Sequence, residues 1–164
     1  IVRALSDESF TWLQGQTDSQ HLFALFLDEI KVESNAVGKF KILTALQKTI
    51  SRINAWSKAA GITEPSTLNL AVTDGQSLVA TRYVNRLDAK ANTLYYSAGN
   101  SYECHDGVCM MKRTNPEDSC VLVVSEKLTD IRNDWNEVAV NHAVLVDEDL
   151  KVSIAPLNLD SKSQ

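Results

Sequence analysis

The spacing of apolar residues along this chain changes once, near its middle. Over residues 18–31, Leu22, Phe23, Phe26, Leu27 and Ile30 recur every three or four positions, which predicts an amphipathic helix with those side chains on its buried face. Thr17 and Gln20 stand at its start in the S/T-x-x-E/Q pattern of a capping box. A second stripe, Leu43, Leu46, Ile50 and Ile53, predicts a helix over about residues 40–60, with Gly61 supplying the left-handed residue that ends it. Beyond it the period falls to two. "LNLAVTDGQSLVATRYV" predicts two strands joined by a turn at Asp74 and Gly75, since Asp-Gly is a strong hairpin signal. "TLYYSAG" and "CVLVVSE" predict further strands, and "VAVNHAVLVDEDLKVSIAPL" predicts a hairpin turning near residues 147–149. The polar stretch 99–119, which holds "ECHDGVC", reads as a surface loop. Two helices followed by five or six antiparallel strands imply a layered α+β domain with the helices on one face of the sheet.

Composition narrows the classes of function. The 164 residues suit one domain, and 44% hydrophobic with 23% charged residues is a globular composition. A net charge of −5, with no run of Lys or Arg longer than two, speaks against a nucleic-acid face or an anionic-membrane face. No apolar stretch approaches the roughly 18 residues of a membrane span. The opening "IVRALSDESF" lacks the apolar block of a signal peptide. Three cysteines, Cys104, Cys109 and Cys120, are an odd and sparse set that favours a reducing, cytoplasmic setting over a disulfide scaffold.

Most candidate chemistry fails on spacing. Cys104, His105 and Cys109 lie close together, but a structural zinc site needs four ligands at tight spacings, and His21, Cys120 and His142 are scattered. No metal is expected, and His21 and His142 read as packed or half-exposed histidines. There is no G-x-S-x-G elbow, and Ser97 and Ser125 have no local base. The six glycines form no phosphate loop, and no cofactor is expected. Glu126 and Asp130 read as a solvated turn. Asp18 remains: a carboxylate in the first helical turn is stabilised by the helix dipole, and it is also a fixed charge that can meet a cationic ligand.

"GQTDSQH" ahead of an apolar helix, then "LNLAVTDGQSLVATRYV", "LYYSAG", "VVSEKLTD" and "WNEV", resembles the class II glutamine amidotransferases. Within them the likeness is to the branch that includes the glutaminase-like subunit of the fungal glutathione degradation complex. That branch shows a "TDSEH" helix start, an "N-x-x-x-TDG-x-x-x-x-ATR" hairpin, an "LYY" strand, an "SE-x-L" strand end and a following Trp. Here these are residues 17–21, 69–82, 94–96, 125–128 and Trp135. The resemblance implies a four-layer αββα N-terminal-nucleophile fold, with residues 1–157 as a later portion of the domain and 158–164 as a frayed tail. It implies that Asp18 binds the α-ammonium of glutamine or of a γ-glutamyl peptide such as glutathione, and that a partner subunit of a degradation complex joins it.

In the family, an N-terminal cysteine attacks the amide and its own α-amino group serves as base. The chain begins at Ile1, and none of its cysteines stands near that end, so no catalytic residue is expected within it. The family's carboxylate-binding arginine and oxyanion-hole Asn-Gly are expected upstream, and Gln20 stands where the family has a glutamate. The expectation is therefore a portion of a γ-glutamyl amide hydrolase, inactive alone, and aggregation-prone for want of the strands that complete its second sheet. The alternative is a non-catalytic pseudoenzyme or partner subunit that uses the fold as an interaction platform. An unrelated α+β binding domain would lack a helix start at Thr17 or strand pairing around Asp74 and Gly75.

Overall fold

A computed structural model describes residues 1–99, 101–112, 119–130 and 134–159; the expected tail falls, beyond residue 159, outside the described residues. Two compact units emerge, one over Ile1–Glu64 and one over Pro65–Leu157.

The first unit is helical. After a single 3₁₀ turn at Val2–Ala4, a short helix α1 (Asp7–Trp12) precedes the two expected helices, α2 (Asp18–Val32) and α3 (Gly38–Ala59). Helix α1 had no apolar period to announce it. It forms because Ser6 caps it by accepting from the Ser9 amide, and because Asp28 of α2 holds its start. Asp28 accepts from Ser6 N at 2.8 Å and from the hydroxyls of Ser6 and Ser9, each at 2.6 Å. Helix α3 ends as expected, with Gly61 at φ +68°.

The buried face of α2 differs from the one the periodicity predicts. Ala24, Leu25, Phe26 and Glu29 are buried, whereas Phe23 is 40% exposed and Leu22, Leu27 and Ile30 are only half-buried. The face is rotated because charged pairs take the place of apolar ones. Glu29 accepts from Arg52 at 2.6 Å, and Glu33, just past the helix end, accepts from Lys48 at 2.7 Å. A carboxylate can be buried when a guanidinium or ammonium neutralises it. Lys48, followed by the Asn35 amide, holds the Glu33 carboxyl below its ordinary value.

The second unit is all β, with ten strands among the described residues rather than five or six. Strands β1 (Thr67–Leu68), β2 (Ala71–Thr73), β3 (Leu78–Val84), β9 (His142–Val146) and β10 (Val152–Pro156) form one antiparallel sheet. Strands β4 (Tyr95–Gly99), β7 (Cys120–Val124) and β8 (Asn136–Glu137) form a second, in the order β7-β4-β8. Ala80, Leu94, Val138 and Val144 make an apolar cluster between them, joined by Tyr96 and Val123. Strands β1 and β2 pair with β3 in one unbroken register. At their interruption, the Thr81 hydroxyl donates to Leu68 O and accepts from Leu70 N, each at 3.2 Å.

The largest correction concerns the expected loop. Residues 101–112 form a hairpin of β5 (Ser101–His105) and β6 (Val108–Lys112), turning on Asp106 at φ +51° and Gly107 at φ +81°. Two successive positive-φ residues are what a tight two-residue hairpin turn demands. The cysteine expectation is corrected with it: Cys104 sits directly opposite Cys109, the two are joined as a disulfide, and Cys120 alone is free.

Candidate functional site

The start of α2 is built by Thr17, not by Asp18. Thr17 has extended backbone and its hydroxyl accepts from Gln20 N at 3.3 Å, one half of the expected capping box. The other half is not made. Gln20 Oε1 is buried without a hydrogen-bond partner among the described residues, and it packs against Gly15, where a Cβ would fall 2.1 Å from it. His21 follows, its Nδ1 at 2.7 Å from Thr17 O.

Asp18 is the first helical residue and is exposed. Its Oδ1 takes the Ser19 amide at 2.8 Å, with the Ser19 hydroxyl at 3.4 Å. The carboxylate therefore satisfies one of the helix's unpaired amides, and the helix start favours its negative charge. Among the described residues no cation pairs with it. A carboxylate oriented by its own backbone and left without a counter-ion can receive an ammonium group.

A groove of about 370 Å³ lies elsewhere in the same unit, lined by Glu8, Asp28, Glu29, Lys31 and Arg52 among others. Its charges already serve one another: Lys31 meets Glu8 at 2.8 Å, and Arg52 meets Glu29. For Asp28, burial pushes its carboxyl up, but the hydrogen bonds from Ser6 and Ser9 outweigh it and the net shift is downward. This groove is structural, and Asp18 does not line it.

In the second unit the remaining motif residues have local jobs. Asp74 shapes the β2–β3 turn, its Oδ1 accepting from Ser77 N at 2.7 Å and Gln76 N at 3.0 Å, bonds that hold its carboxyl below the ordinary value. Asn69 Nδ2 donates to Thr93 O at 2.7 Å. Arg82, 7% exposed, is a buried clamp that donates to Asn92 O, Val138 O and Glu137 Oε1 at 2.7, 2.5 and 2.7 Å. Arg82 closes the "ATR" motif, and the fold gives it the task of tying β3 to β8. Ser125 O accepts from the Thr93 hydroxyl, and Trp135 Nε1 donates to Thr129 at 3.2 Å.

The other candidates stay apart. Ser97 is fully buried in β4, Ser125 is exposed, and Glu126 and Asp130 are exposed carboxylates. His142 Nδ1 lies 2.9 Å from Val140 O. Strand alternation puts His105 on the face of the hairpin opposite Cys104 and Cys109, so the three do not converge. Among the described residues no His, Cys, Asp or Glu cluster suits a metal ion. No described helix is long and apolar enough to cross a membrane.

No protein-family model matches the chain. It is similar to "Probable glutamine amidotransferase DUG3" of Saccharomyces cerevisiae, with 34% identity over 158 residues, 89% of this chain and 44% of that protein. It thus spans less than half the length of that curated relative. Among solved structures it is similar to a glutamine aminotransferase class-II domain protein from Silicibacter pomeroyi, at a TM-score of 0.71 and 26% identity. That likeness covers 98% of this chain and 60% of the other.

Proposed function

Because this chain belongs to the class II glutamine amidotransferase family, we propose that it forms part of an enzyme that hydrolyses a γ-glutamyl amide, either glutamine or a γ-glutamyl peptide such as glutathione. In this reading Asp18 receives the substrate's α-ammonium. The observation that supports it is the exposed Asp18 carboxylate, fixed at Oδ1 by the Ser19 amide and without a counter-ion among the described residues. Glutamine and γ-glutamyl peptides present the same free α-ammonium, so Asp18 selects the γ-glutamyl half and leaves the leaving group to be chosen elsewhere.

The three cysteines of this chain are not assigned as nucleophiles. Cys104 and Cys109 are bonded to each other, and Cys120 sits half-buried at the start of β7 with its sulfur against Met111. We assign the attacking thiolate to a cysteine supplied outside this sequence, and the partner subunit of a degradation complex remains part of the same proposal.

The test is steady-state hydrolysis of glutamine and of glutathione by the full-length protein and its Asp18→Asn variant. Losing a hydrogen bond to a charged group costs about 1.5–3 kcal/mol, so KM is expected to rise about tenfold or more with kcat changed less. Unchanged KM for both substrates would remove Asp18 from the site. Failure of the wild-type protein to release product from either substrate would instead favour the non-catalytic platform.

A further inference from the structure

We propose that the Cys104–Cys109 bond is a thiol-exchange site, opened by a small thiol and closed by a small disulfide, which switches the tip of the β5–β6 hairpin between a held and a loose state. The inference is independent of the γ-glutamyl reading. It rests on how differently the tip and the root of this hairpin are secured.

The root is held by packing. Met111 is buried, its amide donates to Asp134 Oδ2 at 3.0 Å, and its side chain lies against Gly99, where a Cβ would come within 2.4 Å of Met111 Cγ. The Tyr102 ring meets Trp135 edge-on, with centroids 6.1 Å apart. None of these contacts passes through the disulfide. The tip lacks such packing: residues 104–108 and Met110 are exposed, and His105 meets Glu103 on the surface, Nε2 to Oε2 at 3.3 Å. A two-stranded hairpin without a packed face is marginal in water, so the tip depends on its covalent link.

The link is accessible from one side. Cys104 is exposed while Cys109 is half-buried, so an incoming thiolate reaches the Cys104 sulfur first. Its attack forms a mixed disulfide on Cys104, breaks the bond to Cys109, and releases Cys109 as a thiolate that takes up a proton. A second thiolate then attacks the small-molecule sulfur of the mixed disulfide. It yields the small disulfide and a free Cys104, so two thiols are oxidised as one protein disulfide is reduced. The reverse exchange closes the bond. Closure stays easy because the turn at Asp106 and Gly107 and the rooted strands keep the two cysteines opposite each other.

The full-length protein would be incubated under native conditions with dithiothreitol, then with hydroxyethyl disulfide, and followed by alkylation mapping and hydrogen exchange. Cys104 and Cys109 are expected to alkylate only after dithiothreitol. Amide exchange over residues 103–110 is expected to speed up at least tenfold, with β4, β7 and Met111 unchanged, and the disulfide is expected to restore protection. A Cys104→Ser/Cys109→Ser variant should show fast tip exchange that no thiol alters, and Cys120→Ser should respond as wild type. A bond that resists native dithiothreitol, loosening that spreads into β4 and β7, or alkylation of both cysteines before any reductant would overturn the proposal. Should the double variant fail to fold, the wild-type measurement decides alone.

Discussion

The dipeptide Asp-Gly occurs twice in the second unit, and its two settings differ in what makes them firm. At Asp74 and Gly75 it joins β2 to β3, and β3 is a central strand, buried from Val79 to Val84 and paired on its other side with β9. At Asp106 and Gly107 it joins β5 to β6, which among the described residues pair only with each other and bury little beyond the root. The first turn is secured by the sheet it serves and by the Asp74 side chain; the second is secured by a covalent bond between opposed cysteines. Equal local signals thus give hairpins of unequal standing, because a turn fixes register while burial supplies most of the stability.

Damage to the sheet beside the first turn should have the largest effect. Leu145, fully buried in β9 opposite Val79, should cost about 3 kcal/mol of global stability when truncated in Leu145→Ala, by urea denaturation. A loss well below that would mean the five-stranded sheet is not the firm element. Next come the two glycines. Gly75 at φ +90° and Gly107 at φ +81° have open space where a Cβ would go, so alanine meets only backbone strain of about 1 kcal/mol. Gly75→Ala is expected to lower the urea midpoint, whereas Gly107→Ala, with the disulfide closed, should register only as faster amide exchange at the hairpin tip. Equal effects on the midpoint would erase the distinction.

The smallest effect is a pH dependence. The Ser77 and Gln76 amides hold the Asp74 carboxyl below its ordinary value of 3.8, so the folded state favours the ionised form. That contribution is fully present above the ordinary value and is lost as pH falls through the lowered one. Asn keeps an acceptor but does not titrate. The wild-type advantage over Asp74→Asn should therefore shrink as pH falls below the ordinary value of 3.8 in urea midpoints, and a constant difference would count against the turn carboxylate as its source.

Helices α2 and α3, the stop at Gly61, the β2–β3 and β9–β10 hairpins and strands β4 and β7 all stand where period and turn residues put them. The β5–β6 hairpin carries no apolar alternation because its tip is exposed on both faces. A signal was present nonetheless: Asp106-Gly107 flanked symmetrically by Cys104 and Cys109. For the candidate site, the sequence placed Asp18 in a first helical turn, and the lack of a counter-ion among the described residues became visible only in the folded chain.

From local pattern alone, α2, α3, the β2–β3 and β9–β10 hairpins and a carboxylate at the start of α2 were all legible. These are local matters, settled by side-chain period, by left-handed residues and by capping groups within a few positions of one another. The tertiary structure alone decided which face of α2 would be buried, that Glu29 and Glu33 would find Arg52 and Lys48, and that Arg82 would clamp β3 to β8. It also fixed how the ten described strands are shared among three sheets. The partners in these contacts lie 15 to 55 residues apart, and no local pattern records which distant charge will make a buried one tolerable.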